Sequence, residues 1–225
     1  LINLSVNETN LDTVKVEWNG SNITLWSTSG LVGYWPLNND TLDYSGLGND
    51  GTQNGGVNCG TGVAGKIGSA CSFDGTDDYV NVSYAPNLNL GQTFTISSWV
   101  KPNSAGTTSG ATGGPSKFYS GEIPYSSYEL EYYSTNKFSF SLGATDNSFN
   151  NFFSSTVATI GNWYHLVGIY DGVTAKLYIN GVLENNTAFT KTIAYNTNSL
   201  CIGTWCGSPA SMNDFNGTLD EVRIW

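Results

Sequence analysis

Apolar and polar residues alternate with a period of two along most of this chain, and that pattern predicts strands. Phe94, Ile96, Ser98 and Val100 alternate with Thr95, Ser97, Trp99 and Lys101, as in a core strand with one buried face. Leu31 to Leu37 reads as an opening strand, followed by a polar loop from Asn38 to Gly51. Tyr128 to Tyr133 and Lys137 to Leu142 make a hairpin. Trp163 to Tyr170 is apolar on both faces, as expected of a strand central to a sandwich. Asp171-Gly172 turns it into Ala175 to Asn180, and Asn180-Gly181 turns the chain again. Pro102 to Pro124, rich in Gly, Ser and Thr, reads as a long, exposed and mobile loop. No segment carries a helical period, so the expected class is all-β.

Residues 1–29 read as a separate β appendage to a main domain at 30–225. Ile2, Leu4 and Val6 alternate with Asn3, Ser5 and Asn7; Val14, Val16 and Trp18 form a second apolar face. Asn19-Gly20 is a two-residue hairpin turn, and Ile23 and Leu25 continue the return strand. Three short strands cannot bury their faces alone. They must pack on the main domain, finish an upstream sandwich, or add to the sheet of a neighbouring molecule.

Composition sharpens this picture. The chain has 225 residues, enough for one sandwich with an ample core and a small appendage. With a net charge of -10 and only 8 Lys and Arg, it has no basic stripe for nucleic acid. No apolar run approaches the roughly 20 residues of a membrane-spanning helix. The sequence shows no signal peptide, and its start reads as mid-strand, so a mature or excised piece of a longer chain is expected.

Four cysteines allow three connectivities, of which the simplest pairs Cys59 with Cys71 and Cys201 with Cys206. Asn-x-Ser/Thr acceptors begin at Asn3, Asn7, Asn19, Asn22, Asn39, Asn81, Asn185 and Asn216. Disulfides and dense acceptors together point to an extracellular, glycosylated cell-surface protein.

Three segments carry a resemblance. They are GKIGSACSFDGTDDYVNV from Gly65, NWYHLVGIYDGVTAKLYINGV from Asn162, and FNGTLDEVRIW from Phe215. Over residues 30–225 the chain resembles the LamG-like jellyroll domains of the concanavalin A-like lectin/glucanase class. The resemblance implies an antiparallel jellyroll β-sandwich serving as a non-catalytic recognition or adhesion module, with carbohydrate the leading ligand class. Glycans or surface proteins are the expected partners. The alternative is a structural subunit of a surface filament or layer that self-assembles through residues 1–29.

The resemblance also implies Ca²⁺ at a loop near the last strand, with Asp43, Asn49 and Asp220 as candidate ligands. Asp43 to Gly51 concentrates oxygen donors and glycines, and Asp50 is a lesser addition. Asp220 has the sequence parity of Val222 and Ile224, which places a carboxylate on the core face in need of a partner. Asp78 shares parity with Val80 and Val82 and is read as holding its turn through backbone amides.

Catalysis finds little support. Glu129-Leu130-Glu131 is the nearest approach to a glycosidase carboxylate pair, and it reads as a solvated pair on an exposed strand. His165 reads as a structural histidine. For sugar binding, Trp205 inside the Cys201–Cys206 turn and Tyr119 and Tyr125 in the long loop are the candidate stacking surfaces.

Overall fold

A computed structural model describes residues 13–18, 21–27, 30–60, 62–107, 110–117, 127–206 and 213–225. The chain divides into two compact units, Leu1–Leu31 and Val32–Trp225.

In the first unit β1 (Thr13–Trp18) and β2 (Ser21–Ser27) pair antiparallel from Trp18 opposite Ser21, with a bulge after Val14. The alternating segment around Leu4 and the Asn19-Gly20 turn lie outside the described residues.

The second unit is a two-sheet sandwich. Its strands are β3 (Gly33–Trp35), β4 (Gly51–Asn54), β5 (Cys71–Asp74), β6 (Tyr79–Val82), β7 (Phe94–Pro102), β8 (Ala111–Ser116), β9 (Tyr128–Tyr132) and β10 (Lys137–Gly143). They continue as β11 (Phe149–Val157), β12 (Tyr164–Tyr170), β13 (Thr174–Ile179), β14 (Val182–Ala188), β15 (Leu200–Ile202) and β16 (Asn216–Ile224). Sheet I runs β11-β10-β9-β8-β15-β6-β4; sheet II runs β14-β13-β12-β7-β16-β3, with β5 also paired to β16. Every strand pairing within these sheets is antiparallel. Apart from one 3-10 turn at Pro86–Leu88, the described residues contain no helix.

The even residues of β7 face inward, as their alternation predicts, and Phe94 joins the two sheets. Its ring lies 5.9 Å from Tyr170 in its own sheet and 5.4 Å from Tyr128 in the other. A Cβ on Gly168 of β12 would stand 2.5 Å from Phe140 of β10, so the missing side chain lets the sheets approach. Both disulfides are local, Cys59–Cys71 and Cys201–Cys206.

The structure departs from the sequence pattern in three places. The opening strand shrinks to Gly33–Trp35, since Pro36 has no N–H to extend the ladder. The long loop contains β8, which is buried at all six residues between β9 and β15. Its composition hid it: Gly113 and Gly114 give the space a strand needs beneath Val100 and Ser98, and Pro115 sits in a bulge opposite β9. Ser98 Oγ donates to the Gly113 carbonyl at 2.8 Å, closing that contact. Finally, β12 is central but one-faced: Leu166, Gly168 and Tyr170 are buried, and its other face is half-exposed.

Candidate functional site

On the outward face of sheet II, Trp99 of β7 stands directly opposite His165 of β12. Their rings stack with centroids 4.9 Å apart and planes 27° apart. Trp163 lies two residues before His165, which puts it on the same face by strand parity. The turn after β13 closes one side. Asn180 and Gly181 adopt φ of 51° and 81°, the left-handed pair that Asn-Gly tolerates. Asn180 is latched to β12, accepting the His165 N–H on its carboxamide oxygen and donating its own N–H to the His165 carbonyl, both at 2.8 Å. Lys66 arrives from the loop before β5 and sets its ammonium 4.7 Å from the Trp99 ring centroid. Together Lys66, Trp99, Trp163, His165, Asn180 and Gly181 line an open recess of about 500 Å³.

Asp220 holds the Lys66 loop in place. Its Oδ2 accepts the N–H of Lys66 at 2.7 Å and of Ile67 at 2.8 Å. Gly65 is required beside it, because a Cβ there would meet the Ser69 carbonyl at 2.3 Å and Asp220 Oδ2 at 2.8 Å. Sequence parity had put Asp220 on the core face; the structure puts it on the outer face, opposite Trp99. The cause is a β-bulge at Glu221, whose φ is 55°: three steps on β16 match two on β7, from Asp220 opposite Trp99 to Arg223 opposite Ser97. Leu219, Val222 and Ile224 remain in the core.

Around this bulge the Tyr34 hydroxyl donates to the Glu221 carboxylate at 3.1 Å, and the Arg223 guanidinium binds the same carboxylate and covers the Tyr34 ring at 4.3 Å. Burial pushes the Asp220 carboxyl up to about 6, and its Oδ1 is buried with no hydrogen-bond partner among the described residues. Burial, helped by the Arg223 charge, lowers His165 and so favours the neutral ring in the stack on Trp99.

The other candidate cation ligands sit in a second network. Asp43 accepts the N–H of Tyr34 and Ser45 on Oδ1, and the Ser45 hydroxyl and Asn49 N–H on Oδ2, at 2.7–2.9 Å. Buried Asn49 donates its amide to the Val32 carbonyl, and Asp50 accepts the Asp43 N–H. Asp43 and Asn49 thus brace β3, while Asp220 braces the Lys66 loop. Asp78 holds its turn as read from parity, accepting the N–H of Gly56 at 2.5 Å and of Asp74 at 2.8 Å. It also belongs to the acidic cluster of that turn, for which metal binding is the lesser reading beside the backbone-holding role: carboxylate oxygens of Asp74, Asp77 and Asp78 lie within 4.8 Å of one another, the first two residues exposed. Those are the hard oxygen donors a Ca²⁺ takes.

Among the stacking candidates, Trp205 is half-buried inside its disulfide turn, and Tyr119 and Tyr125 lie outside the described residues. Of the acceptor asparagines, Asn39 is exposed, Asn81, Asn185 and Asn216 are half-buried, and Asn22 lies on β2. Asn3, Asn7 and Asn19 lie outside the described residues.

Glu129 and Glu131 are corrected. Both are fully buried, on the outward face of sheet I rather than in solvent. Ser116 donates to Glu129 at 3.1 Å, while Ser141 and the Tyr133 hydroxyl donate to Glu131. Burial raises the Glu131 carboxyl to about 7. Serines at 116, 139 and 141 share this face and were the missed signal, since a polar stripe on an inner strand needs internal partners.

No curated protein matches the sequence significantly. Solved structures do resemble it. Domain 4 of AbnA, a GH43 extracellular arabinanase from Geobacillus stearothermophilus solved in complex with arabinotriose, superposes with a TM-score of 0.65 at 22% identity, covering 86% of this chain and 91% of that one. The binding domain of Paraclostridial Mosquitocidal Protein 1 gives 0.71 at 13% identity, covering 88% of this chain and 49% of that one. A botulinum neurotoxin type C structure, whose description ties cell entry to two ganglioside molecules, gives 0.65 at 15% identity, with 88% and 48% covered. The chain spans about half the length of these toxin structures. At such identities the likeness shows the fold. The Laminin_G_3 family model matches residues 74–225, more than half of the chain. With its two antiparallel sheets and that match, the chain belongs to the concanavalin A-like lectin/glucanases superfamily.

Proposed function

We propose that this chain is a non-catalytic recognition module of an exported cell-surface protein and that it binds carbohydrate in the recess on sheet II. The observation that carries this reading is the lining itself. Trp163 and the part of Trp99 left open between its His165 stack and the Lys66 ammonium offer apolar surface for the C–H groups of a sugar, and Asn180 and Lys66 offer hydrogen-bond donors at the rim. A recess of about 500 Å³ falls within the range of small-ligand sites. The AbnA domain, solved with arabinotriose, supports the ligand class on this fold, and the two disulfides support export. A non-catalytic role is supported by Glu129 and Glu131, which are fully buried and accept hydrogen bonds from their own sheet. Titration calorimetry across a glycan panel tests the reading, with Trp99→Ala as the control for place.

Calcium as a stabilising ion belongs to the same proposal. Of the candidates Asp43, Asn49 and Asp220, only Asp220 offers a buried oxygen without a partner among the described residues, its Oδ1, and Asp43 and Asn49 lie in a network of their own; the proximity of their carboxylates supports Asp74, Asp77 and Asp78. Glycosylation at the exposed Asn39 fits a cell-surface location.

A second reading is favoured by one observation. Among the described residues β1 and β2 form a two-stranded sheet of their own, which leaves backbone edges for strand addition to a neighbouring subunit. A strictly monomeric full-length protein would remove it.

A further inference from the structure

Among the described residues Lys66 is the cation that lines the recess; Lys101 and Lys137, likewise without an ion pair there, lie outside its lining. Lys176, Lys191 and Arg223 each pair with a carboxylate, and Lys117 is buried. Lys66 is exposed at the mouth of the recess, and among the described residues its ammonium has no carboxylate within ion-pair distance. Its position is not left to chance. Two backbone N–H bonds to the buried Asp220, and the close approach that Gly65 permits, fix the loop that presents it. The Asn180 carboxamide oxygen is already engaged by the His165 N–H, so what Asn180 can add to the recess is its NH₂ donors. Beside the aromatic walls and the His165 ring, Asn180 and Lys66 therefore present donors at the rim, one of them charged.

We propose that the recess selects sugars bearing an acidic group, with Lys66 reading the acid and Trp99 and Trp163 holding the ring. This rests on the carbohydrate reading above and names its specificity. A sugar carboxylate or sulfate at the mouth would receive a charge-assisted hydrogen bond from the Lys66 ammonium. The Asn180 NH₂ would meet hydroxyl oxygens on the ring. The net charge of -10 opposes an approaching anion. That repulsion is screened beyond about 8 Å at physiological salt, whereas the Lys66 contact acts at hydrogen-bond range. Locally, Glu221 and Arg223 neutralise each other, and the Asp220 carboxylate is buried beneath the loop with Oδ2 engaged by the Lys66 and Ile67 N–H groups, so the exposed charge at the mouth is the Lys66 ammonium.

The test uses the full chain and a panel of uronate-, sialate- and sulfate-bearing glycans, each beside its carboxyl-reduced or desulfated counterpart. The expected result is that an acidic member binds about 10-fold more tightly than its neutral counterpart. Lys66→Gln should abolish that difference, weakening the acidic member about 10-fold more than its neutral counterpart, while the variant's circular dichroism spectrum matches that of the wild-type chain. The paired arms separate carboxylate from sulfate. Glycan binding with no acid preference, or a preference that survives Lys66→Gln, overturns the inference and leaves the carbohydrate reading standing. No binding by any member overturns both.

Discussion

Asp220 fixes Lys66 from beneath: one buried carboxylate oxygen receives the Lys66 and Ile67 N–H groups and holds the loop over Trp99. That links the two segments that stand out most in the sequence, the Gly65–Val82 motif and the final strand, and it carries them to the rim of the recess. Removing the acceptor leaves two backbone donors without partners. Asp220→Ala should therefore cost about 2 kcal/mol of unfolding free energy in a denaturant titration, while Asp220→Asn, which keeps a carbonyl acceptor, should cost less than half of that. Equal losses would mean that the charge, rather than the acceptor, holds the loop.

Glu131 makes stability depend on pH. Burial raises its carboxyl from 4.5 to about 7, so the folded chain holds this proton more tightly than the unfolded chain does. The stabilising effect is complete below about 4.5 and is lost as pH rises through about 7, a change of about 3 kcal/mol. The melting temperature should fall across that window. Glu131→Gln should flatten the fall and raise stability at pH 8, since the amide oxygen can still accept from Ser141 and Tyr133. A wild-type profile that rises from pH 5 to 7.5 would contradict this assignment.

How much of this was legible in the sequence depended on whether strand parity held. It held along β7, so the inward Phe94, Ile96 and Val100 and the outward Trp99 follow from alternation alone. It failed at Asp220, because a bulge at Glu221 shifts the faces and no residue type announces it. It was also misleading at Glu129 and Glu131: charged residues on alternate positions normally mean solvent, yet here serines on the two flanking strands, β8 and β10, and the Tyr133 hydroxyl supply the partners. Strand β8 was hidden by Gly-Gly-Pro, a loop composition that the close approach of Val100 and Leu130 turns into a structural requirement. The recess itself gathers residues from four separate segments, so only their cross-strand register could assemble it.

Sheet spacing depends on Gly168. An added methyl would stand 2.5 Å from the Phe140 ring, which is fully buried and cannot swing into solvent. Gly168→Ala should destabilise the domain by about 1–3 kcal/mol through overpacking. Adding Phe140→Leu to it should recover part of that loss in the same thermal melt. A neutral single variant would mean that the sheets can slide apart at no cost.

Calcium should act on the native state alone. At a hundredfold excess over its dissociation constant the ion should add about 2.7 kcal/mol, seen as a higher melting temperature in Ca²⁺ than in chelator. The location follows from which variant loses the effect: Asp77→Asn for the carboxylate group after β5, or Asp43→Asn for the loop that braces β3. Identical melts in Ca²⁺ and in chelator would remove calcium from the account.

Isothermal titration of the intact chain with the glycan panel reads binding in the recess without an intermediary. Saturable binding is expected that Trp99→Ala and Trp163→Ala each weaken by about 10-fold or more, with both variants still folded at the temperature of the titration. Saturable binding that both variants retain in full would place the sugar elsewhere on the sandwich, and no binding by the folded wild-type chain would contradict the account outright.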